Sequence, residues 1–436
     1  MSLACRFFCA LLFIAVLAAA GTVSAAIWSL SPGDDIQYYI NNAAAYDTLL
    51  LSPGTYTPAS QLVVNKPLII QGQVGGSLPY ISLPGGAFDA ISIQSSNVTL
   101  ANLHLYRSDY SQYNAIVGVP KGGIHPNYTI IYSDIAVQNC IIEGGRYGAY
   151  IHAEDLTISG NVFKNNYRDS VILGGIAGTT KIEGNHFKGD HNSKKAILVE
   201  GGLPQPYVSG TLEITGNTLC GKGNFFVFNH WENTSADIDL LLAHNTIFNT
   251  ASSPISFYAA YTHKTNDPPG GFTKFDNITI RDNIFANSGG IPVRVDYYDY
   301  GGAPPADDRS VPVDGQIVVY NNLSYNNTLG SGYATDPTGN YGYTNITGMT
   351  PSGASMNMFA LSNNLVGDPL FVDPANCDLR LFDGSPALYS ASDGGHIGAY
   401  QGPPVPEPSS LVVWSVCGAI GFVALQLGRR RCWARR

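Results

Sequence analysis

Charge is scarce in this 436-residue sequence. Asp, Glu, Lys and Arg together make up 13% of it, about half the share of an ordinary soluble domain. Helical patterning is scarcer still: no long stretch of the middle spaces its apolar residues at 3.6. That excludes a helical bundle or a coiled coil. Cysteine is thin where it would matter. Of seven cysteines, Cys5 and Cys9 lie in the first 25 residues and Cys417 and Cys432 in the last stretch. Cys140, Cys220 and Cys377 remain, an odd number at wide spacing, which excludes a dense disulfide framework and leaves buried, inert thiols as the expectation. Neither CxxC nor a Cys/His zinc spacing occurs.

Gly, Asn, Ser, Thr and Tyr fill the space left by charge. They suit strands and tight turns, because Gly and Asn form helix poorly and accept left-handed backbone. Two end segments stand apart. Arg6, the apolar run "FFCALLFIAVLAAA" (7–20) and the small residues "VSA" (23–25) read as a secretory signal peptide over 1–25. The stretch "SSLVVWSVCGAIGFVALQLG" (409–428) is apolar enough to cross a bilayer, and the basic "RRRCWARR" (429–436) behind it is expected to stay cytoplasmic. Without Arg6 and the five tail arginines 17 basic residues remain, and without Glu407 31 acidic ones. Residues 26–406 therefore carry about −14. A surface that acidic excludes nucleic acid and anionic lipid as the main partner.

One phrase returns along the middle: "ISGNVFKNN" (158–166), "IEGNHFKGD" (182–190), "ITGNTLCGK" (214–222), "LAHNTIFNT" (242–250), "IRDNIFANS" (280–288). Its marker asparagines are Asn102, Asn139, Asn161, Asn185, Asn217, Asn245, Asn283, Asn322 and Asn364. The shortest steps are 22 and 24 residues and the others run from 28 to 42. Such a period, with apolar alternation of two inside each unit, signals stacked coils of short strands with insertions. A leucine framework and a uniform blade period are both missing. A right-handed parallel β-helix remains, with the asparagines hydrogen-bonded in a ladder from coil to coil.

On these residues the chain resembles the pectin-lyase-like superfamily of right-handed β-helix proteins, over most of 34–401. The opening "DDIQYYINNAAAYDTLLLSPGTYTPASQLVVNKPLIIQG" (34–72) is similar to that family's entry, where a short amphipathic helix caps the barrel. The closing "DPLFVDPANCDLRLFDGSPALYSASDGGHIGAYQ" (368–401) is similar to the C-terminal segment of many secreted bacterial β-helix proteins, which covers the apolar end. The tail "VPEPSSL" (405–411), its apolar span and its arginines resemble a PEP-CTERM sorting signal. The resemblance implies an exosortase-type processing enzyme as partner, with Pro406, Glu407 and Pro408 as recognition residues, in a Gram-negative bacterium. The expected organisation is a signal peptide (1–25), a β-helix domain (26–402) with an N-terminal cap and side loops, and a sorting and anchor segment (403–436) with its transmembrane helix at 409–428.

Catalytic patterns of the superfamily are largely missing. The paired Asp motifs of polygalacturonases and the Arg motif of pectate lyases do not occur. "GTYTP" (54–58) places Pro58 where pectin methylesterases have Glu, and "GGHIG" (394–398) falls in the terminal segment. The repeat does bring one constellation forward. Seven residues past Asn139 and Asn161 stand Arg146 and Arg168, and Lys194 and Lys195 follow in the next coil, forming a basic stripe on an acidic chain. Tyr147, Tyr167, His230, Trp231 and Glu232 lie near it, as do the strand ends His152, Glu154 and Glu200. Aromatic faces beside cations suit an acidic glycan. The Asp-rich spots 296–299, 306–309 and 373–378 offer carboxylates to Ca²⁺ but lack a diagnostic loop spacing. No metal or cofactor is assigned. The expectation is a monomeric, exported cell-surface protein that binds extracellular polysaccharide. The alternative is a divergent lyase, hydrolase or epimerase using Arg146, Arg168 and Lys195.

Overall fold

The computed structural model describes residues 25–110, 114–120, 132–189, 195–201, 208–221, 223–230, 237–261, 277–299, 317–327 and 359–399. Through them the chain winds over three parallel sheets in the repeating order A, B, C. Sheet A has 12 strands, from Ile27–Leu30 to Phe359–Ser362, and sheet B has 11, from Thr55–Tyr56 to Leu365–Val366. Sheet C has nine, from Leu62–Val64 to Val293–Asp299. Neighbouring strands in each sheet come from successive coils and pair in parallel. This is an all-β parallel β-helix, and parallel crossovers coil right-handed almost without exception.

Alternation inside each strand builds the core. In sheet A, Ile158, Ile182, Ile214 and Leu242 face inward at matched positions of four coils. All four are fully buried. In sheet B, Phe163 and Phe187 stack with ring centroids 5.1 Å apart. Burying each such ring removes apolar surface worth about 3 kcal/mol at most.

The recurring phrase is the corner from sheet A to sheet B. Its first residue takes left-handed backbone: φ is 65° at Gly160, 63° at Gly184, 55° at His244 and 55° at Asp282. The next residue is the ladder asparagine. Asn185 Oδ1 accepts the backbone N–H and the side-chain Nδ2–H of Asn161, each at 2.9 Å, while Asn161 Nδ2 also donates to Val137 O at 2.8 Å. The same three bonds recur through Asn185, Asn217, Asn245, Asn283 and Asn322, ending on Asn364. Asn102 and Asn139 are not rungs, contrary to the marker alignment. They hold the left-handed position, with φ of 55° and 53°, and Leu103 and Cys140 occupy the rung place. The Cys140 amide donates to Asn161 Oδ1 at 2.9 Å, so the first asparagine rung, Asn161, comes two coils later than the sequence spacing implied.

Helix Ile36–Asn42 closes the N-terminal end. Asp35 caps it by accepting from Gln37 N, and Ile36 and Ile40 are buried against the first coils. The C-terminal segment differs from the expected end cap: it lies along the outer face of sheet B. Phe371 meets Phe248 edge-on with centroids 5.8 Å apart, Gly398 N donates to Asp282 O at 2.7 Å, and Ala399 N donates to Thr246 Oγ1 at 2.9 Å. Cys377 is disulfide-bonded to Cys220, across 157 residues of sequence. The expectation of three inert thiols is therefore wrong for two of them. The coil brings together a pair that its sequence separation hid, and Cys140 alone is a free, buried thiol, pushed up to about 12 by burial. Residues 1–24 and 400–436 lie outside the described residues, with the signal peptide, the sorting residues and the 409–428 span among them. Within the described residues no helix is long and apolar enough to cross a membrane.

Insertions gather at two of the three corners. The A-to-B corners stay two residues long in every coil from Asn139 onward, because the ladder fixes them. Among the longer connections, 202–207, 231–236, 262–277 and 300–316 run from sheet C to sheet A, and 326–358 runs from sheet B to sheet A.

Candidate functional site

The outer face of sheet C is unlike an ordinary solvated sheet. Ala115, Tyr147, Ile172, Leu198 and Val227 form an apolar cluster outside the barrel, with Tyr150 packed against it. Parallel register sets them in columns. Gly118, Tyr150, Ile172, Leu198 and Val227 occupy one matched position of successive coils. Outward side chains in such a column stand about 4.8 Å apart and touch.

Polar groups converge on that apolar strip from the corner just before sheet C. Arg146 and Arg168 end that corner in adjacent coils, and Arg168 N donates to Arg146 O at 2.9 Å. The Arg146 guanidinium carbon lies 6.0 Å from the Tyr147 ring centroid. Arg168 Nη1 donates to Tyr147 Oη at 3.3 Å, and its Nε lies 3.8 Å from Oδ2 of the buried Asp169. Two cations thus bracket one phenol. Farther along the same strand, Tyr150 donates to Glu200 Oε2 at 2.6 Å, and its ring lies 6.4 Å from Tyr147 and 5.0 Å from His152.

Two glycines make room for titratable side chains on this face. A Cβ at Gly174 would overlap the His152 imidazole, and one at Gly118 would overlap the Asp89 carboxylate. Asp89 Oδ1 accepts from Ala115 N at 2.8 Å. Burial pushes the Asp89 carboxyl above its usual range, against the opposing pull of the Ala115 amide and Arg107. Arg107, 1% exposed, pins the approach to Asp89 by donating to Phe88 O, Ala115 O and Gly86 O.

Of the residues singled out in the sequence, Arg146, Tyr147 and Arg168 come together. Lys195 stands one position later, paired in register with Asp169 instead of continuing the arginine column. Lys194, Trp231 and Glu232 lie outside the described residues. His230 closes strand Asn224–His230, and its side chain is likewise outside them. Glu154 opens a sheet A strand, away from this face. Sequence reasoning missed Asp89 and Tyr150. For Asp89 the available signal was Gly118, a glycine inside a strand whose side-chain space the neighbouring carboxylate takes. Around 373–378 the carboxylates have protein partners: Asp373 accepts from Asn376 and Asp378 pairs with Arg380. Among the described residues no three His, Cys, Asp or Glu side chains gather as a metal site.

No protein-family model matches the chain, and no curated protein matches it. Solved structures do. A mutant of the PL6 family alginate lyase AlyGC is 15% identical, with a TM-score of 0.43, covering 79% of this chain. This chain spans only 40% of that lyase. The A-module of the mannuronan C-5 epimerase AlgE6 of Azotobacter vinelandii is 15% identical, TM-score 0.44, over 77% of this chain and 96% of that one. The catalytic unit of a GH87 alpha-1,3-glucanase from Streptomyces thermodiastaticus is 15% identical, TM-score 0.41, over 79% and 70%. The β-helix assignment stands on the strand pairing of this chain itself, and these likenesses add nothing about its activity.

Proposed function

We propose that the outer face of sheet C binds an acidic polysaccharide and moves a proton at the carbon next to a uronate carboxylate. The observation that carries this reading is the pairing of Arg146 and Arg168 around the Tyr147 phenol. Removing the proton at C5 of a uronate leaves negative charge on its carboxylate, so the step needs fixed positive charge there and a group to take the proton. The two guanidiniums supply the charge. Tyr147, with Arg168 donating to its oxygen, is placed to handle the proton, and His152 and the Tyr150–Glu200 pair lie farther along the same strip. Once the C5–H bond breaks, two outcomes balance. The C4–O bond can break, the C5 electron pair forming a C4=C5 double bond while the departing oxygen keeps the C4–O pair and takes a proton to become a hydroxyl, or C5 can take a proton back on its opposite face.

Incubating the full-length chain with polymannuronate, polyguluronate and polygalacturonate in D₂O tests both outcomes together. Deuterium at C5, or an unsaturated chain end, is expected by NMR. Tyr147→Phe should lower the rate by about 10³ and Arg168→Ala by about 10². Binding without exchange in the wild type would leave a noncatalytic polysaccharide module, and no binding to any of the three would end the glycan reading.

The proposal extends to place. We infer export through the 1–25 leader, a membrane tether at 409–428, and exosortase-type sorting at Pro406, Glu407 and Pro408, with the cell surface as destination. Support comes from those sequence segments and from the Cys220–Cys377 bond, since disulfides persist in oxidising compartments. Edman sequencing of the purified protein should begin at Ala26.

A further inference from the structure

We infer that Tyr110 and Tyr167 form a sugar-stacking platform that lays a polymeric acidic glycan lengthwise against the Arg146–Arg168 pair. The inference rests on the reading of that site as glycan-binding. Tyr110 is 56% exposed and Tyr167 44% exposed. Their rings nevertheless stack on each other, with centroids 5.1 Å apart and planes 21° from parallel. Among the described residues this is the one parallel stack between two exposed rings. Exposed apolar rings cost solvation that a partner surface would recover.

Position ties the pair to the arginines. Tyr110 follows the sheet B strand His104–Arg107, and Tyr167 follows Val162–Lys164, two coils farther on. The coil between contributes the corner Gly144–Gly145–Arg146. Tyr167 N donates to Gly145 O and Arg168 N to Arg146 O, each at 2.9 Å. The stack therefore bridges an intervening corner: the two residues leave the coil about 10 Å apart along its axis, and their ring centroids close to 5.1 Å. It ends one residue from Arg168, on the side opposite Tyr147.

A pyranose carries its axial C–H bonds on one apolar face and its C6 carboxylate at the rim. Laid on a tyrosine ring, a uronate residue would bury that face and point its carboxylate sideways to the guanidiniums. A single sugar at Tyr147 would not reach the stack. Because the two rings cover each other's inner faces, a chain running along the axis would lie on the open face of one ring and pass along the edge of the other. The platform therefore selects for polymer length.

The test measures the affinity of the full chain for polymannuronate and polygalacturonate and for the monosaccharide of each. Tyr110→Ala and Tyr167→Ala should each weaken polymer binding about tenfold, with a far smaller change for the monosaccharides. Tyr167→Phe, which keeps the ring, should bind like wild type, and unchanged melting of each variant shows that the fold is intact. If the Ala variants bind polymer normally while Arg168→Ala does not, the platform is refuted and the arginine site stands. Equal weakening for polymer and monosaccharide refutes the lengthwise role. Lost binding in the Tyr variants with none lost in Arg168→Ala refutes the placement of the chain against the arginines. A wild type that binds neither polymer ends both.

Discussion

At the scale of single residues, the asparagine ladder shows how a small polar side chain holds a large apolar fold. Each rung is 0 or 1% exposed over Asn161, Asn185, Asn217, Asn245, Asn283 and Asn322, so none of its groups can fall back on water. Replacing Asn217 by Leu would leave the Asn185 amide without its acceptor and Ile182 O without its donor. Two buried groups orphaned at once should cost about 3 kcal/mol, read as a fall in the thermal midpoint. Asn217→Asp, which keeps the acceptor and loses the donor, should also destabilise, and a neutral result for Leu would show the ladder to be ornamental. The sequence displayed the ladder openly from Asn161 onward because the rung and the left-handed residue before it are both constrained by the same corner. It misled at Asn139 because asparagine serves both places. With a cysteine after it instead of a second asparagine, the phrase "QNC" does not say which place is filled, and Cys140 took the rung.

At the scale of elements, the C-terminal segment is a strap fastened at several points, and its fastenings differ in chemistry. Asp282 is fully buried. Burial alone would raise its carboxyl, but hydrogen bonds from Asn321 and Ser392, with Arg281 beside them, hold it below its ordinary value of 3.8. Ser392 donates to it through both its amide and its hydroxyl, at 2.7 and 2.6 Å. A carboxyl lowered by folding contributes stability that is complete above the unfolded value and is lost as pH falls through the lower folded value. Amide exchange at Ser392 and Gly398 should therefore stay slow from neutrality down to about pH 4 and quicken below it. Asp282→Asn, which keeps the residue type suited to left-handed backbone, should quicken it at every pH. The disulfide acts on the unfolded chain. Reduction, or Cys220→Ser, should cost about 3 to 5 kcal/mol for so long a loop. An unchanged melt in reductant would count against a clamping role. Little of this strap was legible. Its contacts join residues more than a hundred positions apart, and periodicity reports only neighbours one coil away.

At the scale of the whole molecule, the site is a local exception to the charge around it. The chain carries a formal −9 at neutral pH, yet Arg146 and Arg168 sit together beside a strip of tyrosines. The sequence revealed that pair through the coil period, and it hid Asp89 and Tyr150, which join the face through packing over Gly118 and a bond across two coils. A polyanion approaching this surface meets two opposed terms. At low ionic strength the screening length is about 30 Å at 10 mM, so the net negative charge repels the polymer from afar. Near 100 mM it shortens to about 10 Å, and only groups near the site are felt. There the guanidiniums dominate. Association of polyuronate should therefore speed up as salt rises from 10 to about 100 mM, while dissociation quickens only at higher salt, where the contact itself is screened. Affinity would pass through a maximum. An ordinary basic groove would lose affinity from the first addition of salt, so a monotonic decline in stopped-flow or equilibrium binding would place the polymer somewhere other than this arginine pair. Arg146→Gln with Arg168→Gln should abolish the maximum and leave only weak binding, because the long-range repulsion remains and the local attraction does not.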